Sequence, residues 1–217
     1  MGSVTILYYT SNQEDEDFER KVQLNILKYY QGLPIISVSQ KPIHFGDKNI
    51  CVGEVGASGY NMFRQVLIGC EAATTDFILS TESDCLYPPD YFEFVPPKLD
   101  VCYRTSNLYV MPDRRPYFFS KKEGATHAQI VGRKYYINRL KELFGDGPEW
   151  SLEEMNFPKE RHRKEDVFDK IEHYEMKNPV VQIKTHRGMR YYTSSDRTPI
   201  HNIEFWGNGK ELRKAYL

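Results

Sequence analysis

Thr75-Asp76-Phe77-Ile78-Leu79-Ser80-Thr81-Glu82-Ser83-Asp84 carries an apolar run straight into two carboxylates separated by one small residue. If this run is a strand buried in an open α/β sheet, its carboxyl end lies where such sheets bind ligands. Two carboxylates brought together there repel each other unless something neutralises them, and a divalent cation is the usual neutraliser. A strand that ends in a solvated acidic turn would read the same way. The surrounding sequence separates the two readings.

Upstream, Val4-Thr5-Ile6-Leu7-Tyr8-Tyr9 is a β-branched and aromatic run, hence a strand, and Thr10-Ser11-Asn12 closes it with turn chemistry. Glu14, Asp15, Glu16 and Asp17 then open a helix, where carboxylates suit the positive end of the dipole. Phe18, Val22, Ile26 and Leu27 follow at helical spacing. Pro34-Ile35-Ile36-Ser37-Val38-Ser39 reads as a second strand, residues 40–59 as a Gly-rich polar loop. A second helix carries Met62, Val66, Leu67, Cys70 and Ala73 on its apolar face. Strand, helix, strand, helix, strand is the alternation of a parallel, doubly wound sheet.

Downstream, Tyr87-Pro88-Pro89-Asp90 is a turn, and residues 100–111 read as one or two strands. Residues 124–144 hold a Gly-containing start and then a helix with Tyr135, Tyr136, Leu140 and Leu143. Residues 145–164, broken by Pro148 and Pro158, read as a loop or lid. Residues 166–176 read as helical, Val180-Val181-Gln182-Ile183-Lys184 as a strand, and residues 191–217 as a tail that wraps the site.

The 217 residues suit one domain, and 40% hydrophobic with 27% charged content is ordinary for a globular chain. A net charge of -1 argues against a general nucleic-acid-coating surface. Most of the 16 tyrosines are expected to fill a mixed core. Cys51, Cys70, Cys85 and Cys102 lack CxxC pairing, so buried free thiols in a reducing compartment are expected. Without an apolar signal core or a membrane-length run, the expected location is cytoplasmic.

Neither a dinucleotide fingerprint nor a Walker loop follows the first strand. Thr10, Ser11 and Asn12 stand where a nucleotide commonly lies, although such residues also end strands routinely. Gly53-Glu54-Val55-Gly56-Ala57-Ser58-Gly59 lacks the Lys of a phosphate loop but leads into a helix start that could face an anion. Arg64 projects from that helix.

Taken together, these segments resemble the GT-A-fold glycosyltransferases, which bind a nucleotide-sugar and a divalent cation. Glu82-Ser83-Asp84 stands in the place of the family's Asp-x-Asp motif, with Glu for the first Asp, and Leu86-Tyr87-Pro88-Pro89-Asp90-Tyr91 is similar to the Pro-containing turn after it. Gly124-Ala125-Thr126-His127-Ala128-Gln129-Ile130-Val131-Gly132-Arg133-Lys134 resembles the acceptor-side segment. Lys164-Glu165-Asp166-Val167 resembles the motif that supplies the base of inverting members, and Lys184-Thr185-His186-Arg187-Gly188-Met189-Arg190 the later strand whose His completes the metal shell. The likeness spans residues 4–190 and rests on the order of the motifs, each short enough to occur by chance.

The resemblance implies a single GT-A-like, doubly wound α/β domain with a mostly parallel central sheet. Residues 4–110 would form the nucleotide-sugar half, 111–190 the acceptor and metal-completing half, and 191–217 a C-terminal tail. It implies a metal-dependent, inverting glycosyltransferase with Asp166 as base and Glu165 beside it. Asp84, Glu82 and His186 would hold Mn²⁺ or Mg²⁺, with His201 a second candidate imidazole. Thr10, Ser11, Asn12, Arg64, Glu82, Ser83, Lys184, Arg187 and Arg190 would meet the donor, a UDP-sugar foremost, and guanidinium groups suit its diphosphate. His127, Gln129 and Trp206 would face the acceptor, a glycan or a modified nucleic-acid base. The basic residues Arg161, Arg163, Lys164, Arg213 and Lys214 leave room for a polyanion. A sugar nucleotidyltransferase and a non-catalytic nucleotide- or glycan-binding module are the alternatives.

Overall fold

The computed structural model describes residues 2–121, 124–153, 167–188 and 195–217. In chain order the elements are β1 (Val4–Thr10), α1 (Glu16–Tyr29), β2 (Ile35–Ser39), β3 (Lys48–Cys51), α2 (Gly59–Ala72), β4 (Phe77–Glu82) and β5 (Cys85–Leu86). A 3-10 turn (Pro89–Tyr91) leads to β6 (Cys102–Thr105), β7 (Leu108–Pro112), β8 (Phe119–Ser120), β9 (Gln129–Gly132) and α3 (Arg133–Phe144). The last are β10 (Ile171–Tyr174), β11 (Val180–Lys184), β12 (Asn202–Ile203), β13 (Gly207–Asn208) and α4 (Gly209–Tyr216).

The main sheet has seven strands in the order β10-β6-β9-β4-β1-β2-β3. Pairs β1–β2, β1–β4, β2–β3 and β6–β10 are parallel, while β9 runs antiparallel to β4 and β6. The expected mostly parallel α/β sheet is therefore present. From β1 the chain steps outward to β2 and β3, then returns to place β4 on the other side of β1. The crevice beyond the carboxyl ends of β1 and β4 is the topological switch point. A second sheet, β5-β11-β7-β8, and a hairpin of β12 and β13 complete the fold.

β1 is buried along its whole length because its two faces feed two cores. Ile6 and Tyr8 point towards Phe18, Val22 and Ile26 of α1, whereas Leu7 and Tyr9 pack with Val66, Leu67 and Cys70 of α2. That division follows from the two-residue period of a strand. At Gly69 a Cβ would lie 2.2 Å from Leu7 Cδ1, so glycine is what lets α2 settle onto β1. The helix starts are capped as their sequences suggest: Asp15 accepts from the Asp17 and Phe18 N–H groups, and Ser58 from that of Asn61.

Several expectations need correcting. Residues 48–51, read within a loop, form edge strand β3, whose side chains show no apolar alternation and whose formation rests on backbone pairing with β2. Of the segment read as helical, residues 171–174 are β10, paired parallel with β6, because the ladder supplies partners that a weak helical spacing does not. Leu27 is 42% exposed, and Asn25 takes an inward place on α1, accepting from the Tyr87 N–H at 2.8 Å. Cys51 is exposed, while Cys70, Cys85 and Cys102 are buried. The described part of the tail contains a hairpin and α4, with Leu212 buried against the core. The tyrosines do fill the core, with Tyr8, Tyr87, Tyr91 and Tyr136 fully buried.

Candidate functional site

β4 delivers Glu82 to the switch point, opposite Tyr9 at the end of β1. The Tyr9 hydroxyl donates to Glu82 Oε1 at 2.9 Å. The Glu82 N–H donates to the Tyr87 hydroxyl at 2.9 Å, which donates in turn to the His127 carbonyl at 2.8 Å. Ser83 and Asp84 turn the chain into β5, and β5 pairs antiparallel with β11 through Cys85 opposite Gln182. That pairing lays the polar face of β11 on Asp84, since Gln182 and Lys184 are two residues apart and share a face.

Asp84 is consequently surrounded. Lys184 Nζ donates to Oδ2 at 3.1 Å, and Gln182 Nε2 donates to both oxygens at 3.2 and 3.0 Å. Cys85 Sγ lies 3.1 Å from Oδ1, and the Ile183 N–H bonds the Asp84 carbonyl at 2.7 Å. The Asp84 and Lys184 side chains are each 11% exposed.

Burial, the largest influence, works to raise the Asp84 carboxyl, but Lys184, His127 and the hydrogen bonds from Cys85 and Gln182 together outweigh it and hold the group below its ordinary value. Burial works to lower Lys184, and Asp84 followed by Glu82 outweighs it, so the ammonium is held above its ordinary value. Glu82 is pushed up to about 7, first by burial and then by the negative charge of Asp84. Burial and then Lys121 push His127 well below the usual range, which leaves a neutral imidazole. Lys121 is itself lowered by burial and by Lys184. Two carboxylates and two ammonium groups thus share one half-enclosed volume. Among the described residues, Glu82, Cys85 and His127 also bring one ligand atom each within 4.8 Å of one another, a group that could hold a metal ion.

At the start of α1 lies a polar cavity of about 680 Å³, bordered by Asn12, Lys41, Arg187, Arg20 and the carboxylates of Glu14, Asp15, Glu16 and Asp17. Glu14 Oε2 accepts from Thr185 Oγ1 at 2.6 Å, and burial, opposed by that bond, pushes its carboxyl up to about 7. Arg187 Nη1 meets Asp15 Oδ2 at 3.0 Å across the opening. The segment after β11 therefore joins the Asp84 cluster to the start of α1.

The residues singled out in the sequence fall into distinct groups. Glu82, Asp84, Lys184 and His127 converge at the end of β4. Thr10 and Asn12 hold the turn after β1: Thr10 Oγ1 accepts from the Asn12 N–H, and Asn12 Oδ1 accepts from the N–H groups of Gln40 and Lys41 at 2.9 and 2.8 Å. Asn12 has φ 55°, in the left-handed region that Asn tolerates. Ser11 and Ser83 are half-buried in the turns after β1 and β4. Arg64 braces the segment after α3, donating to the Pro148 carbonyl at 2.8 Å with its guanidinium 3.8 Å from the Phe144 ring centre. Gln129 is fully buried, accepting from Arg104 Nε and donating to the Tyr136 hydroxyl, both at 2.9 Å. His186 Nε2 lies 3.6 Å from Asp113 Oδ2, and His201 packs on the Tyr117 ring. Trp206 Nε1 donates to the Pro179 carbonyl at 2.7 Å, which anchors the hairpin. Asp166, Glu165, Arg190 and the basic residues Arg161, Arg163 and Lys164 lie outside the described residues.

Gln182, Lys121, Tyr9 and Glu14 were not singled out by the sequence. Gln182 had a visible signal, a polar residue alternating with Lys184 inside an apolar strand. Lys121 had none, because only the packing of the second sheet against the first brings it near Glu82. Among the described residues no helix is long and apolar enough to cross a membrane.

No protein-family model and no curated protein sequence matches the chain. Among solved structures, it is similar to a glycosyltransferase involved in the glycosylation of the major capsid of PBCV-1, with a TM-score of 0.44 and 15% identity over 80% of this chain and 81% of that one. It is also similar to the catalytic domain of Drosophila beta1,4galactosyltransferase 7, with a TM-score of 0.40 and 13% identity over 64% of this chain and 52% of that one.

Proposed function

We propose that this chain is a glycosyltransferase that moves a sugar from a nucleotide-diphosphate donor, a UDP-sugar foremost, to a hydroxyl acceptor. The observation that carries the reading is the placement of half-buried Glu82 and buried Asp84, the latter paired with Lys184, at the switch point between β1 and β4. A switch point that gathers Glu82 and Asp84 beside Lys184 suits an anionic donor whose leaving group gains charge. The motif order seen in the sequence agrees with it.

The donor set fits a divalent cation. Carboxylate oxygens are what Mg²⁺ and Mn²⁺ prefer, and Asp84 already holds a positive charge at 3.1 Å. Asp84 and Glu82 would hold the ion, while His186, the imidazole expected from the sequence, lies against Asp113 and outside the group that converges there; a bound metal would act as a Lewis acid towards the departing diphosphate. The neighbouring Glu82, Cys85 and His127 group is softer and would suit Zn²⁺ better. The chain's own groups divide the remaining work. Tyr9 orients Glu82, Lys184 and Arg187 offer positive charge to phosphate oxygens, and Asp166 takes the acceptor proton in an inverting transfer.

Incubation with a panel of nucleotide-sugars, with and without Mn²⁺, tests the reading by melting temperature and slow donor hydrolysis. Failure of every nucleotide-sugar to shift the melt, with or without metal, would sink it. Asp84→Ala should lose metal-enhanced donor binding, whereas Asp166→Ala should bind donor and lose transfer. A nucleotidyltransferase would instead form a nucleotide-sugar from a nucleoside triphosphate and a sugar phosphate.

A further inference from the structure

The turn that follows β11 is built around one hydroxyl. Thr185 Oγ1 donates to Glu14 Oε2 at 2.6 Å and accepts from the N–H groups of Arg187 and Gly188 at 3.2 and 3.3 Å. A hydroxyl has one proton and two lone pairs, so its hydrogen-bonding capacity is fully used. Because the proton goes to Glu14, both lone pairs stay turned towards the N–H groups. A carboxyl oxygen can accept this bond whether or not the group is ionised, so the arrangement does not depend on its charge. Glu14 and Thr185 are 171 residues apart, and both are buried. Gly188 completes the fit, since a Cβ there would stand 3.0 Å from Glu14 Oε1. On the other side the turn meets Asp113, whose N–H donates to the Lys184 carbonyl at 2.9 Å and whose carboxylate lies 3.6 Å from His186. Neither of those contacts reaches the backbone of Arg187.

The side chain of Arg187 is held differently from its backbone. Its guanidinium meets Asp15 Oδ2 at 3.0 Å, in a pair that is 59% and 56% exposed. Exposed pairs of this kind hold a side chain weakly, so another anion can replace the carboxylate. The buried, short Glu14–Thr185 bond is the firmer of the two, being shielded from water. The backbone is therefore fixed from inside the fold, while the guanidinium is free to change partner at the edge of the polar cavity. A binding group gains from a carrier that is already in place, because less order has to be imposed when the ligand arrives.

Resting on the glycosyltransferase reading, in which Arg187 meets the donor's diphosphate, we infer that Glu14 and Thr185 are positioning residues that hold the Arg187 backbone where its guanidinium reaches phosphate. They act on the donor through Arg187. The rival is a structural tie that joins the end of β11 to the start of α1 and has no bearing on Arg187.

Calorimetric titration of the full chain with UDP, in single and double variants, separates the two. Thr185→Val should weaken UDP binding about fivefold, and Thr185→Ser, which keeps the hydroxyl, should stay within about twofold of the native protein. In an Arg187→Ala background, Thr185→Val should weaken UDP binding by less than a further factor of about two, because the residue it positions is gone. If Thr185→Val melts too low to titrate, Glu14→Ala breaks the same bond from the other side and strands no carboxylate. It should show the same loss and the same lack of additivity with Arg187→Ala. Unchanged or tighter UDP binding by Arg187→Ala, or by folded Thr185→Val or Glu14→Ala, would overturn the positioning. So would an equal loss in Thr185→Ser, or losses that multiply in the double variant. A native protein that does not bind UDP would overturn the glycosyltransferase reading and the positioning with it, whereas failure of the positioning alone leaves native UDP binding intact.

Discussion

The two ends of β1 carry cavities of similar size and opposite chemistry. At the amino end, about 560 Å³ is bordered mainly by apolar groups, among them Val4, Leu33, Pro34, Phe92, Phe94 and Val95. At the carboxyl end, about 680 Å³ is bordered by polar and charged groups, among them Asn12, Glu14, Asp15, Asp17, Lys41 and Arg187. The amino end is closed by ordinary tethers, with the Ser3 N–H and hydroxyl bonded to Asp76 at 3.0 and 3.2 Å. Volume does not distinguish the ends. Convergent charge does, and it gathers at the carboxyl end because the chain reverses direction across the sheet there.

The largest test of this contrast is Asp84→Ala. It leaves Lys184 buried without its anion, and removing one partner of a buried pair costs about 3–5 kcal/mol. Chemical denaturation should show that loss, together with the loss of Mn²⁺-supported UDP binding. A destabilisation under about 1 kcal/mol would show that the pair is solvated and the end ordinary.

A pH series on Glu82→Gln comes next. The Glu82 carboxyl is raised from 4.5 to about 7 in the folded chain, so between those values the folded state binds more protons than the unfolded one. Stability from this group is therefore fully present below pH about 4.5 and is lost as pH rises through about 7. Glu82 is half-buried, so the loss should be on the order of 1–3 kcal/mol, and Glu82→Gln should flatten the stability profile across that window. An unchanged profile would remove Glu82 from the charge cluster.

Arg187→Ala should separate binding from stability. Its pair with Asp15 is exposed at 59% and 56%, so folding should change by less than about 0.5 kcal/mol. Loss of one phosphate contact should weaken UDP binding about tenfold by calorimetry. The smallest effect is expected at the opposite end: Val95→Ser, 40% exposed, should leave UDP affinity unchanged and stability within about 0.5 kcal/mol. A clear loss of UDP binding there would reverse the assignment of the two ends.

Much of the main sheet was legible because its signals are local. β1, β2, β4 and β11 are short apolar runs ended by turn chemistry, and Asp15 and Ser58 mark the starts of α1 and α2 as caps. β3 and β10 were not legible. Each is four residues long and largely outward-facing, and its reason for being a strand is a neighbouring backbone. The site divides in the same manner. Glu82, Asp84 and Lys184 stood out as charged residues at the ends of apolar strands, whereas Gln182, Lys121, Tyr9 and Glu14 become relevant only through position.

Local composition placed the end of β4 at Glu82 and the end of β11 at Lys184, where an apolar run gives way to charged and turn-forming residues. Tertiary structure alone decided that these ends meet. Asp84 and Lys184 are 100 residues apart in the chain, and the antiparallel pairing of β5 with β11 presses them to 3.1 Å. No local propensity encodes that distance, because it is set by the backbone ladder between two strands and by the burial that makes each charge need the other.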